Sequence, residues 1–227
     1  EKSGDILRRM KTHPRLDDNT GFEFRPFAEL HMTNDRSKFD TDLENTSLGM
    51  PVLTGASFQI WNPDFGDPFA FGDEEELITC LFERARKGVR NKRSPFHGLE
   101  LASEDGLPVM GARIAFRSIT SDVATRTAIF ALIPPRTALV NAAPYLLRRE
   151  GTPRHEAYLL GILCSIPFDW YIRRWVDLNL NFFLLNPVPV PRPDETHPRW
   201  QRVALLAGCL AAVDDRFESW AEEVGVP

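Results

Sequence analysis

The chain has 227 residues, 43% of them hydrophobic and 26% charged, with a formal net charge of -5. That length suits one large domain or two small ones, and the balance is that of an ordinary soluble globular protein. No apolar run reaches the roughly 18 residues of a membrane span, and the charged start Glu1 to Met10 shows no signal peptide. The three cysteines, Cys80, Cys164 and Cys209, stand far apart without a CxxC pair, which argues against a disulfide framework or zinc knuckle and for buried free thiols in a reducing cytoplasm.

The charge is unevenly placed. From Arg84 to Arg154 there are 13 Lys and Arg against 5 Asp and Glu, a surplus of +8, so the remainder carries -13. This pattern suggests a basic face on an acidic body. Phosphate contacts need local positive charge and not a positive average.

In chain order, residues 1–50 are polar and punctuated by His13-Pro14, Asp17, Asp18, Asn19 and Gly21, and read as an irregular or partly extended entry segment. Pro51 to Trp61 is apolar and β-like, ending at the turn signals Asn62-Pro63 and Gly66-Asp67-Pro68. Asp73 then caps a helix, with Glu76 placed for a capping box. Leu77, Ile78, Leu81, Phe82 and Ala85 form its apolar face, Arg84, Arg86 and Lys87 load its last turn, and Gly88 reads as its stop. Two β-type runs follow, Val109 to Ile119 and Ala124 to Ile133, with Thr120 to Val123 as a hairpin connection. Thr152-Pro153 opens another helix, broken at Ser165 to Pro167 and resumed over Phe168 to Val176. Asn186 to Pro193 is a proline-spaced connector. A last helix begins near Thr196-His197-Pro198, with Trp200, Val203, Ala207, Leu210, Val213, Phe217 and Trp220 along one face over about 20 residues.

Catalytic patterns are sought and not found. Asn62-Pro63-Asp64-Phe65 approximates the Asn-Pro-Pro-Tyr loop of amino-methyltransferases but lacks its second proline, and reads as a turn. No lysine follows an acid at the Asp/Glu-x-Lys spacing of restriction nucleases, no HxH or HxxxH pair exists, and no G-x-S-x-G elbow is present. The positive signal is cationic. Arg84, Arg86, Lys87, Arg90, Lys92 and Arg93 form a run without an acid, which suits either phosphate binding or a solvated helix end. Arg113 and Arg117 share one face of a regular strand, where base-edge reading and a structural ion pair fit equally; Arg126 opens the next run. Trp61, Phe65 and Phe69 read as core.

Two ordered blocks carry a resemblance. The first is Arg113-Ile114-Ala115-Phe116-Arg117-Ser118-Ile119-Thr120, then Arg126-Thr127-Ala128-Ile129 and Leu132-Ile133-Pro134-Pro135. The second is Phe168-Asp169-Trp170-Tyr171-Ile172-Arg173-Arg174, with Asn179 to Phe183 and Pro187-Val188-Pro189-Val190-Pro191. Over roughly residues 50 to 215 the chain resembles the C-terminal target-recognition region of large adenine-specific DNA methylases, including type IIG restriction–modification enzymes and the methylases of BREX- and DISARM-like phage defence. The resemblance implies a non-catalytic DNA-recognition module, with S-adenosylmethionine held by an upstream methyltransferase domain and no cofactor here. Its partners would be double-stranded DNA and that upstream domain, in the cytoplasm and without a membrane.

The expected fold is α+β, a β-rich recognition region framed by three or four helices with a C-terminal amphipathic helix. Its segments are 1–50 (entry), 51–193 (recognition) and 194–227 (terminal helix). The expected DNA-contacting residues are Arg84, Arg86, Lys87, Arg90, Lys92, Arg93, Arg113, Arg117 and Arg126. The alternative is a protein-interaction module that docks the methylase onto other defence-system subunits.

Overall fold

The computed structural model describes residues 2–43 and 49–227. Its elements are α1 (Lys2–Met10), β1 (Glu23–Phe27), β2 (Met50–Leu53), β3 (Ala70–Gly72), α2 (Glu74–Val89), β4 (Arg113–Phe116), β5 (Phe130–Ile133) and β6 (Ala138–Leu139), then β7 (Tyr145–Glu150), α3 (Pro153–Leu163), α4 (Ile166–Ile172), α5 (Phe182–Leu185), α6 (Pro198–Ala211) and α7 (Glu218–Val224). Strands in the order β1-β7-β4-β5 make an antiparallel sheet, and β3-β2-β6 make a smaller one in which β2 and β6 run parallel. The fold is α+β. No described helix is long and apolar enough to cross a membrane.

Side-chain alternation explains why the larger sheet lies in the middle. On β4, β5 and β7, Ile114, Phe116, Phe130, Leu132 and Leu146 point to one face, and Ala115, Ala131, Ile133, Tyr145 and Leu147 to the other. The first set packs with Leu159 and Leu163 of α3, Phe168 of α4 and Trp200 of α6; the second packs with Leu77 and Leu81 of α2 and Val52 of β2. Both faces are therefore covered, and every residue of β4 and β5 is buried.

α2 forms where capping and periodicity place it. The Asp73 carboxylate accepts the Glu76 N–H at 2.9 Å, and Leu77, Ile78, Leu81 and Ala85 are buried. The helix runs through Gly88 to Val89, so this glycine does not end it. A Cβ there would come within 2.7 Å of Ser94 Oγ and 3.1 Å of Phe96 Cβ; Gly88 lets the next loop fold back onto the helix. α3 starts at Pro153 with Thr152 and His155 closing a capping box.

Four expectations are corrected. The segment 1–50 holds a helix and a paired strand and supplies Leu16, Phe22 and Phe24 to the core, although residues 1 and 44–48 lie outside the described residues. The run from Ala124 is a strand only from Phe130, because the amides of Thr127 and Ala128 bond to the Asp169 carboxylate in place of a neighbouring strand. The terminal helix is two helices. Asp214 accepts the Arg216 N–H and starts a new turn, so Leu210 and Val213 are exposed while Trp200 and Trp220 stay buried. Of the cysteines, only Cys164 is buried; Cys80 is half-buried and Cys209 exposed.

The proline connector is held by backbone pairing of Leu16, Asp17 and Pro14 with Val188, Asn186 and Val190. Arg192, within the connector, donates to the carbonyls of Thr20, Phe22, Arg15, Leu16 and Asp18, tying the entry segment down from a distant part of the chain.

Candidate nucleic-acid interface

The nine basic residues singled out by sequence divide into two groups. Arg84, Arg113, Arg117 and Arg126 are turned inward and engaged. Arg113 opens β4 and Arg117 follows its last residue, Phe116; the first bonds beside β6 and the second to the loop after β2. Arg113 is 3% exposed and donates to Glu29 at 2.8 Å and to the Thr137 carbonyl at 2.7 Å, above the Tyr145 ring. Glu29 also accepts the Leu139 N–H at 2.9 Å, and burial pushes its carboxyl up against the opposing pull of Arg113. Arg117 donates to the carbonyls of Gly55, at 2.6 Å, and Phe58, at 2.8 Å, and burial lowers its pKa. Residue 55 must be glycine for this, since a Cβ would lie 2.8 Å from Arg117 Cγ.

Arg126 donates to the Cys164 carbonyl at 2.7 Å and lies 3.4 Å from Asp169. Asp169 accepts the N–H groups of Thr127 and Ala128, each at 2.8 Å, and Arg173 at 2.9 Å. Burial alone would raise this carboxyl; the Ala128 amide, Arg173, Arg126 and the Thr127 amide together bring it below its ordinary value. Arg84 forks onto Asp35 and reaches the Glu29 carbonyl at 3.2 Å. These four are engaged by internal acceptors, and a guanidinium held in this way has fewer donors left to offer a phosphate or base.

The second group, Arg86, Lys87, Arg90, Lys92 and Arg93, is exposed. Arg86 and Lys87 stand on the last turns of α2, where their charge also suits the helix dipole. The loop that follows is well tied. Asn91 organises a turn by accepting the Arg93 N–H, Arg149 donates to the carbonyls of Pro95 and His97, and Phe96 is buried against Phe27. Arg90, Lys92 and Arg93 therefore project from a fixed backbone. Among the described residues none of the five forms an ion pair; Arg86 lies over the Phe82 ring at 5.6 Å.

The +8 surplus is thus less available than its count suggests. Of its 13 cations, Arg136 pairs with Glu74, Arg149 with Glu23 and Arg148 approaches Glu156 at 3.7 Å, so these three join the four above in internal or intramolecular contacts. The six left over are the five of this cluster and Arg154, which lies over Trp200.

The other candidate places are less informative. A cleft of about 380 Å³ between residues 96–113 and β7 is lined by Leu101, Met110, Leu146, Arg148 and Glu156. Glu156 is raised by burial and already accepts Trp220 Nε1 at 3.0 Å and the Ile114 N–H. Asn62 accepts the Asp64 N–H, and Asp64 pairs with Arg216, so Asn62 to Phe65 is a turn with Phe65 exposed at its tip. Among the described residues no group of three His, Cys, Asp or Glu side chains is placed to hold a metal ion.

Sequence reasoning missed Glu29, Asp35 and Asp169, the carboxylates that hold the inward arginines. Asp35 and Glu29 carry no local signal, being 49 and 84 residues from their partners. Asp169 lay within a recognised block, and only its spacing of four from Arg173 could have marked it. In the comparisons with known proteins, no family model matches the chain, and no curated protein is significantly similar to it.

Proposed function

We propose that this chain is the DNA target-recognition region of a multidomain N6-adenine DNA methyltransferase acting in the bacterial cytoplasm. In this reading it holds duplex DNA through Arg86, Lys87, Arg90, Lys92 and Arg93, while a domain upstream binds S-adenosylmethionine and performs methyl transfer. The observation that carries the reading is that these five cations are unpaired and adjacent on one helix end and its tied loop. A fixed row of exposed cations suits phosphate oxygens, which position a protein on DNA without reading sequence. The two resembling blocks support the methylase assignment and have a plain structural role: Asp169 of the second ties Arg126 and Thr127 of the first.

Titration of a labelled duplex by fluorescence anisotropy at several salt concentrations tests the reading. Five phosphate contacts predict a slope of log affinity on log salt of about -4.5. The triple variant Arg90→Ala, Lys92→Ala, Arg93→Ala should reduce that slope by about 3 and weaken binding roughly tenfold or more. Binding that ignores salt, or a triple variant that binds like the parent, overturns it.

A second reading, docking to protein, rests on a different surface. Ile119 and Val123 on one loop, Leu178 on another and Phe183 on α5 are exposed, and the two loops are joined by the Thr120 N–H donating to the Leu178 carbonyl. An apolar group of this kind suits a protein partner, such as the upstream domain. If Val123→Ser with Phe183→Ser abolishes association with that domain while DNA affinity is unchanged, the two surfaces have separate roles.

A further inference from the structure

The outer face of α6 is apolar and unpartnered. Trp200, Ala204, Ala207, Gly208 and Ala211 turn inward, whereas Leu205, Leu206 and Leu210 are 40%, 51% and 51% exposed, and Val213 beyond the helix end is 49% exposed. At 3.6 residues per turn, Leu205, Leu206, Cys209 and Leu210 span an arc of about 140°, and Arg199 and Arg202 fall within the same arc. Both arginines are exposed, and among the described residues neither forms an ion pair.

The charges at the ends of this stripe are placed against the helix dipole. Arg199 and Arg202 stand in the first two turns, where acids would be favoured, and Asp214, Asp215 and Glu218 follow the last turn, where bases would be favoured. Asp214 is compensated by Arg216, but that arginine also serves Asp64, and Asp215 and Glu218 are exposed, so this end stays acidic. An isolated helix is weakened by such an arrangement. An antiparallel copy of the same helix reverses the effect, because each basic end then faces an acidic end and the two dipoles oppose.

We infer that this face pairs two copies of the chain, α6 against α6, about a twofold axis. Such an isologous contact needs a surface complementary to itself. The stripe has an apolar middle and a basic N-terminal end, Arg199 and Arg202, and the segment that follows its C-terminal end carries the exposed Asp214, Asp215 and Glu218. Cys209 stands midway between Leu205 and Val213, so in this pairing it lies close to the axis and faces its own copy. Few side chains are covered, well short of the roughly 800 Å² per partner of stable complexes, so the dimer is weak and concentration-dependent. The face is on a different element from the five cations, and the inference does not depend on DNA binding.

Sedimentation velocity of the 227-residue chain without DNA, over a wide concentration range, should show a reversible monomer–dimer equilibrium. Leu206→Glu with Leu210→Glu should shift its midpoint at least tenfold upward while the melting temperature is kept, since both leucines are half exposed. Arg202→Glu should weaken the dimer several-fold, and adding Asp215→Arg should restore it. Mild oxidation should give a covalent dimer that Cys209→Ser abolishes, with the half-buried Cys80 as internal control. A chain that stays monomeric, a dimer indifferent to the paired glutamates, or a covalent dimer that survives Cys209→Ser overturns the inference. So does a monomer whose α6 face binds only a different protein.

Discussion

The arginines around β4 and the cations at the end of α2 come from one basic stretch of sequence and have opposite fates. Around β4 both sheet faces are covered, so Arg113, Arg117 and Arg126 must find acceptors inside, and the acceptors come from residues 29, 55, 58, 137, 164 and 169. At the end of α2 the helix has one buried stripe, and Arg86, Lys87, Arg90, Lys92 and Arg93 are left to solvent. The lesson is that surplus charge along a sequence marks a binding face only after internal carboxylates and carbonyls have taken their share. Here that share is larger than the remainder.

The comparison breaks most sharply at the Glu29–Arg113 pair. Glu29→Ala should cost about 3–5 kcal/mol in denaturant unfolding, because it leaves a buried guanidinium without its counter-charge. Glu29→Leu combined with Arg113→Met should recover part of that loss, with the Leu139 N–H and Thr137 carbonyl still unsatisfied. If Glu29→Ala costs no more than a surface substitution, the inward group is not structural.

Asp169 comes next. Asp169→Asn should cost roughly 2–3 kcal/mol at neutral pH, through weaker bonds to Thr127 and Ala128 and lost pairing with Arg126 and Arg173. The pH sign follows from its lowered folded-state value. The contribution is complete above the ordinary carboxylate range near pH 4 and is lost as pH falls through the folded value. Melting profiles of parent and variant should therefore differ most at neutral pH and converge in acid; a gap that is constant down to strong acid contradicts the assignment.

The smallest stability effect belongs to the outer group. Arg90→Ala, Lys92→Ala and Arg93→Ala together should leave unfolding free energy within about 0.5 kcal/mol of the parent, since none has an internal partner. A larger loss would move these residues into the inward group and remove the main support for phosphate binding.

Local elements were legible because their causes are local. The Asp73 cap, the Leu77–Ala85 stripe, the Thr152-Pro153 start and the turn at Asn62 all depend on residues within a few positions. The single terminal helix was misread because Trp200 and Trp220 reach one core from two helices, and only the Asp214 turn separates them. The sequence marked all nine cations alike; that five face solvent and four turn inward to internal acceptors was not legible in it.

What the sequence determined by itself was the elements with local signals, such as the Asp73-capped α2 and the Pro153 start of α3, and which side chains share a side of each. Only the tertiary structure decided which of those sides meet solvent. That depends on what packs across them, and carboxylates such as Glu29, Asp35 and Asp169 reach their arginines by folding from distant positions, leaving no periodic trace along the chain.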